Sequence, residues 1–391
     1  MSAMIELDEA LAIVARTPRD SAEAVVPLAE ALGRVLARTV ASPIDSPPFD
    51  KSAMDGFAVA ADDDSAEFRI LDTVAAGAAP ERPAQRGECM RIMTGAMLPP
   101  GTSRVIRKEY VEEKDGTIRL LQPESDSNVI LRASNLSAGD PLLGPKVLVP
   151  QDIGILAASG LAEVPVAVPP EAIILCTGPE IRPPGVPLGP GQIYNSNGPQ
   201  LAAQLAAMRC PCRQAGTVTD EPAALTRALA SALETCGLLL LTGGVSAGDF
   251  DFVPGCLEEL GAEILFHGVA VKPGKPTLFA RRGGTWIFGL PGNPVSTFVI
   301  FEVFVKPFLY LSMGIDWTPR TVRGTLGAPV RRKSTERTEF LPVTVRRGVV
   351  TPVSFHGSAH LNALGGADGL IRVEKGVAEV ARGTEIDARL L

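Results

Sequence analysis

Apolar positions along the chain change period several times, and each change marks a different kind of element. Leu7, Leu11 and Val14 recur at helical spacing behind Asp8 and Glu9, which predicts an amphipathic helix near the amino terminus. Leu28, Leu32, Val35 and Leu36 form a second such stripe, predicting another helix that ends near Ala41. From Pro47 to about Asp140 the texture becomes short extended runs, such as Phe68-Arg69-Ile70-Leu71 and Val105 to Val111, punctuated by Gly and Pro. Residues 45–140 are therefore expected to form a β-rich insertion domain. Helical spacing returns at Asp152, Ile153, Ile155, Leu156 and Ala157, within Pro150 to Ser159. Residues 1–44 and 141–168 accordingly read as two halves of one linking domain.

Pro169-Pro170 mark the next boundary, and beyond it continuous apolar runs alternate with amphipathic stretches. Ala172 to Cys176, Leu238 to Leu241 and Trp286 to Phe288 predict buried strands; residues 198–208, 221–234, 253–260 and 295–311 predict helices. That alternation implies a layered α/β domain over 169–314 with a mostly parallel sheet. After Gly314 short β runs return, including Phe340 to Val345 and Ala378-Glu379-Val380, so 315–391 is expected to be a small β domain.

With 391 residues, 46% of them apolar and 21% charged, the chain has ample material for several globular cores. A net charge of -7 argues against a nucleic-acid surface, and Arg331-Arg332-Lys333 and Arg346-Arg347 are too short to change that. Glu6, Asp8 and Glu9 stand where a secretory signal would need cationic and apolar residues. The longest apolar stretch, Val295 to Leu311, is interrupted by Glu302 and Lys306 and reads as a buried helix rather than a membrane span. Six cysteines form no disulfide framework; Cys210-Pro211-Cys212 lacks the two-residue gap of a zinc or redox motif. Only His267, His356 and His360 could serve as imidazole ligands, so any metal is expected to be a hard ion held by oxygens. A cytoplasmic, reducing location fits these features.

Three strands run directly into glycine-bearing loops: Thr177-Gly178, Thr242-Gly243-Gly244 and Gly289-Leu290-Pro291-Gly292-Asn293-Pro294. Ligands of open α/β sheets bind beyond the carboxyl ends of strands, where glycines let the backbone approach a phosphate. Neither a G-x-x-x-x-G-K-[ST] loop nor a G-x-G-x-x-G turn is present, which disfavours an ordinary kinase or dinucleotide enzyme. Lys272-Pro273-Gly274-Lys275-Pro276 places two cations on a stiff turn, either solvated or turned to an anion. The acidic set is Asp55, Glu180, Asp220, Asp249 and Asp251: Glu180 lies just past a strand end, Asp220 precedes a helix, and Asp249 and Asp251 follow the Gly243-Gly244 loop. Such a set is suited to Mg²⁺ and water activation near phosphates, although Asp220 is equally well placed as a helix cap. Ser46 to Val59 is a rigid loop carrying Asp50, Ser52 and Asp55; it is either a ligand loop or a surface turn whose aspartates cap local backbone groups.

That loop, Pro47-Pro48-Phe49-Asp50-Lys51-Ser52-Ala53-Met54-Asp55-Gly56-Phe57-Ala58, resembles the PPFDNSAMDGYA signature of the molybdopterin molybdenumtransferase family, which includes the gephyrin E domain. Lys51 replaces the usual Asn and Phe57 the usual Tyr. Further family patterns follow in order: Met93-Thr94-Gly95-Ala96, Thr242 to Asp249, Lys272 to Pro276, and Gly289 to Ser296. The resemblance runs from about Leu7 to the carboxyl end. It implies an α/β multidomain fold: a three-layer α/β molybdopterin-binding domain, a β-rich insertion, a linking element and a C-terminal β-barrel-like domain.

It also implies insertion of molybdenum from molybdate into adenylylated molybdopterin, with Mg²⁺ and release of AMP. Glu180, Asp220, Asp251 and Asp55 would be acidic site residues, with Glu180 and Asp251 on the metal. Thr94, Gly243, Gly244, Ser246, Asp249, Pro291 and Pro294 would bind the cofactor, while Lys272, Lys275, Ser296, Arg337 and Ser358 would contact molybdate. Family members are homodimers in which the insertion domain of one chain covers the α/β domain of the other, so Asp55 and Thr94 would serve the partner's site. Molybdopterin adenylyltransferase and molybdoenzymes would be protein partners. Two departures thin the acidic site: Pro179 stands in Thr177-Gly178-Pro179-Glu180 where the family commonly has Asp, and Ala133-Ser134-Asn135 replaces Gly-Glu-Asp. The alternative implied by such thinning is a molybdopterin-binding carrier or scaffold of the same fold.

Overall fold

The computed structural model of the protein describes residues 4–17, 21–245, 252–355 and 357–391. The first helix, Leu7–Ala15, buries Leu7, Ala10 and Val14 on one face, as their spacing predicts. The second apolar stripe is not a helix. Strand Glu23–Pro27 leads into a single 3₁₀ turn, Leu28–Glu30, and Gly33 then adopts φ +78°, which a continuing α-helix does not permit. Val35 and Leu36 instead bridge to Val147 and Val166. Glu23–Pro27 pairs antiparallel with Glu163–Ala167, and Ala31, Leu36, Leu148, Leu156, Val164 and Val166 close a small core across both sides of the insertion.

The insertion is built on a six-stranded sheet in the order Arg104–Arg107, Gly56–Val59, Glu88–Ile92, Glu67–Val74, Thr117–Leu120, Val111–Lys114. Its alternating side chains supply a core on each face, one around Phe57, Phe68 and Ile106, the other around Met90, Ile92 and Val105. Gly56 is required where two strands meet, because a Cβ there would lie 2.1 Å from the Ile106 carbonyl oxygen.

The α/β region has six strands ordered Cys212–Val218, Ala172–Thr177, Leu238–Thr242, Thr285–Leu290, Leu278–Arg282, Glu263–His267. The first four are parallel, and Leu278–Arg282 runs antiparallel to both of its neighbours, Thr285–Leu290 and Glu263–His267. Alternation along the buried strands divides them between two cores. Ile174, Cys176, Leu240 and Phe288 pack with Leu201, Leu205, Val299 and Phe304; Ile173, Leu175, Leu239, Leu241 and Ile287 pack with Leu225, Leu229, Val253 and Leu257. Helices thus cover both faces, giving three layers. From Ala172–Thr177 the chain moves to the edge strand Cys212–Val218, then crosses back to Leu238–Thr242 on the other side. This reversal of direction opens a crevice at the carboxyl ends of the two central strands.

Helix Pro294–Ser312 is long and apolar enough to cross a membrane by length and composition, but 78% of that window is buried inside the protein, so it is a core helix. It widens to a π-helical turn at Phe301–Val305, just before Pro307, which has no N–H to continue the α-helical ladder.

The carboxyl-terminal strands form a closed, barrel-like sheet, Thr338–Arg346, Val349–Pro352, Thr321–Leu326, Glu385–Leu390, Gly369–Val373 and back to Thr338–Arg346. Val271–Lys272 of the α/β region joins this sheet as a parallel partner of Thr338–Glu339.

Candidate functional site

The crevice opens into a cleft of about 870 Å³ whose walls come from the three glycine loops, the lysine turn and the carboxyl-terminal domain. The first loop contributes Glu180. Its carboxylate folds back over Gly178, where a Cβ would lie 2.6 Å from Oε2, and Gly178 holds φ +135°. A larger residue at 178 would push Glu180 out of place.

The second loop packs against the first. A Cβ on Gly243 would lie 2.7 Å from Thr177 Oγ1 and 2.8 Å from its carbonyl oxygen, and Gly243 sits at φ +92°. Gly244 borders Asp220, whose Oδ1 is 3.9 Å from the position of an added Cβ. Asp220 and Glu180 both line the cleft. Ser246, Asp249 and Asp251, which the sequence adds to this loop, lie outside the described residues, as does His356.

The third loop is fixed by a residue that sequence reasoning missed. Asn197 Nδ2 donates to Thr242 Oγ1 at 2.6 Å and to the Gly292 carbonyl at 2.7 Å, tying two strand ends together. Pro291 and Pro294 flank that contact at the cleft wall, and Ser296, although buried, also lines the cleft. The signal for Asn197 was the polar run Asn195-Ser196-Asn197 at the head of a helical pattern, where Asn195 Oδ1 accepts the Gly198 amide at 2.9 Å.

The cationic wall differs from expectation in one respect. Lys275 is exposed, and no ion-pair partner for it occurs among the described residues. Lys272 is instead paired: its Nζ lies 2.7 Å from Glu339 Oε1, and Glu339 is 4% exposed. Arg337 reaches the cleft while donating from Nη1 to the Val271 carbonyl at 3.3 Å. Ser358 Oγ accepts from Asn293 Nδ2 at 2.8 Å, joining the carboxyl-terminal domain to the third loop. Cys176 also lines the cleft, but burial pushes its thiol up, so it is not a ready thiolate.

Asp55 and Thr94 are absent from this wall within one chain. Asp55 Oδ1 accepts the Thr94 amide and hydroxyl, each at 2.8 Å, and Lys108 Nζ approaches Oδ2 at 3.3 Å. The Thr94 amide first, then its hydroxyl and Lys108, hold the Asp55 carboxyl below the usual carboxylate range. The neighbouring polar side chains of the loop act differently. Asp50 Oδ1 accepts the Arg132 amide at 2.6 Å, and Ser52 Oγ donates to the Met54 carbonyl at 2.5 Å, so both brace the loop.

Among the described residues, no group of three or more His, Cys, Asp or Glu side chains forms a metal cage. The donors at the cleft are nonetheless hard oxygens: the Glu180 and Asp220 carboxylates, with Thr177 Oγ1 and Asn197 Oδ1 buried and lacking a hydrogen-bond partner among the described residues. This set fits Mg²⁺, which keeps part of its water shell and completes its coordination with substrate phosphates.

Comparison with known proteins agrees with this architecture. Residues 5–160 match the family described as MoeA N-terminal region (domain I and II), 173–310 match "Probable molybdopterin binding domain", and 324–391 match MoeA C-terminal region (domain IV). The chain belongs to the MoeA family of molybdopterin molybdenumtransferases. It is 33% identical to molybdopterin molybdenumtransferase 2 of Mycobacterium tuberculosis over 98% of each chain. It is 30% identical to the molybdopterin molybdenumtransferase of Staphylococcus aureus, covering 98% of this chain and 94% of that one. The crystal structure of the molybdopterin biosynthesis MoeA protein from Pyrococcus horikoshii superposes over the full length of both chains with a TM-score of 0.87 at 27% identity.

Proposed function

We propose that the protein transfers molybdenum from molybdate to adenylylated molybdopterin and releases AMP. The observation that carries this reading is the convergence, in one cleft, of glycine-lined strand ends, two carboxylates and three cationic side chains, Lys272, Lys275 and Arg337. Backbone amides at glycine loops suit a phosphoanhydride, and the cationic wall suits a tetrahedral dianion. Glu180 and Asp220 would stand beside the phosphoanhydride, Glu180 orienting a water and taking its proton as the water oxygen bonds to phosphorus and the P–O bond to AMP breaks, AMP leaving with the bridging oxygen. Glu180 and Asp251 would hold Mg²⁺. Bound there, the ion would neutralise charge developing on the phosphate oxygens. Lys272, Lys275, Ser296, Arg337 and Ser358, all of which line the cleft, would orient molybdate.

The active unit is a homodimer on this reading, with Asp55 and Thr94 of one chain completing the cleft of the other. Two observations support that: Asp55 is kept ionised by contacts that leave its side chain 42% exposed, and it does not line the cleft of its own chain. The setting is cytoplasmic, where six unpaired thiols are stable, and handover involves a molybdopterin adenylyltransferase upstream and molybdoenzymes downstream. Purified protein mixed with adenylylated molybdopterin, Mg²⁺ and molybdate should release AMP, dependent on both ions. A carrier or scaffold would retain the nucleotide intact, and that result would overturn the reading.

A further inference from the structure

Glu339 is a buried carboxylate that bonds two cations in different settings. Its Oε2 accepts from Arg332 Nε at 2.9 Å, and its Oε1 faces Lys272 Nζ at 2.7 Å. The Arg332 side chain is 2% exposed; its Nη1 donates to the carbonyls of Glu374 at 2.7 Å and Val377 at 3.1 Å, and its Nη2 to that of Arg337. Arg332 is thus enclosed within the carboxyl-terminal domain and is no part of the cleft. Lys272, 42% exposed, lines the cleft directly. The pairing is set by register, since Lys272 lies opposite Glu339 where Val271–Lys272 joins the barrel strand.

We propose that Glu339 is a positioning residue: anchored by Arg332, it fixes the Lys272 ammonium so that its two remaining N–H donors meet an oxyanion in the cleft. This rests on the reading of the cleft as a molybdate site. A lysine stem is flexible, and holding it before the ligand arrives removes an ordering cost from binding. An ammonium has three donors, so one bond to Glu339 leaves two for the anion. The arrangement is notable in sign. A carboxylate beside an anion site weakens the positive field, so electrostatics alone predicts tighter anion binding when Glu339 is neutralised. Positioning predicts weaker binding.

The test is calorimetric titration of the full-length protein with molybdate, and with AMP as a control, on wild type, Glu339→Gln, Lys272→Met and the double variant. Glu339→Gln should weaken molybdate binding about tenfold, the middle of the range for coupled, directly bonded neighbours, and leave AMP affinity unchanged. In the Lys272→Met background it should add nothing. Because Glu339→Gln leaves Arg332 buried without a counter-ion, Arg332→Met/Glu339→Gln provides a charge-free version of the same pocket, with the same tenfold loss expected. Unchanged or tighter molybdate binding in a folded variant, or an effect that persists without the lysine, overturns the proposal. Wild-type protein that binds no molybdate overturns the reading of the cleft and the proposal with it, whereas binding that is insensitive to Glu339 overturns the proposal alone.

Discussion

At the scale of single residues, the insertion domain carries the clearest electrostatic signature outside the cleft. Glu124 receives a bidentate pair from Arg107, Nε to Oε2 at 2.8 Å and Nη2 to Oε1 at 2.9 Å. The Arg107 guanidinium lowers the Glu124 carboxyl from its ordinary 4.5 to about 2. A depressed folded-state value means the contribution to stability is complete above about pH 4.5 and is lost as pH falls towards 2. Glu124→Gln should therefore lower stability at neutral pH by on the order of 3 kcal/mol and flatten the acid limb of a melting profile between those values. A limb as steep as wild type would contradict the assignment. At the cleft, Lys275→Ala removes an exposed cation with no ion-pair partner among the described residues. Molybdate binding should weaken by about 1.5–3 kcal/mol with the melting temperature unchanged, measured by titration and by thermal unfolding. Sequence alone could name both lysines of the turn but could not distinguish them, because the partner of Lys272 lies 67 positions further along, at Glu339.

At the scale of elements, the three strand ends depend on contacts that only glycine allows in one loop and that tolerate a side chain in another. Gly243→Ala would drive a Cβ into Thr177 and strain a φ of +92°, at a cost of about 1–3 kcal/mol, with loss of nucleotide binding. Gly292→Ala, whose Cβ would meet nothing closer than the Gly243 Cα at 3.7 Å, should stay within about 0.5 kcal/mol of wild type. Chemical denaturation of both variants checks the contrast; equal losses would mean the loops are less tightly packed than the geometry shows. Buried parallel strands were legible because both faces are apolar, as in Leu238 to Leu241. The edge strand Cys212–Val218 was not, since its side chains are mostly exposed and carry no hydrophobic run. The false helical stripe at Leu28 to Leu36 had the right spacing, but Pro27 and Gly33 and the pairing to Val147 and Val166 decided otherwise.

At the scale of the whole molecule, the cleft is assembled from distant segments: loops between 176 and 296, and Arg337 and Ser358 from the carboxyl-terminal domain. Motif order made those segments legible as one site, while the ties between them, Asn197 to Thr242 and Asn293 to Ser358, needed the fold. Asp55 and Thr94 remain outside it in a single chain, which is the basis for proposing a composite site in a homodimer. Mixed dimers of an Asp55→Ala chain and a Glu180→Gln chain should recover AMP release, because one of their two clefts combines the intact halves. No recovery in proven heterodimers would assign Asp55 to the cleft of its own chain or to no cleft.

The central claim, that this cleft receives the tetrahedral metal oxyanion, is tested most directly by anomalous diffraction from crystals soaked in tungstate, which shares the shape and charge of molybdate. The account predicts a tungsten peak within the cleft, in contact with Lys275 and bordered by Arg337 and Ser358. A peak elsewhere on the protein, with none in the cleft at full soaking, would contradict it.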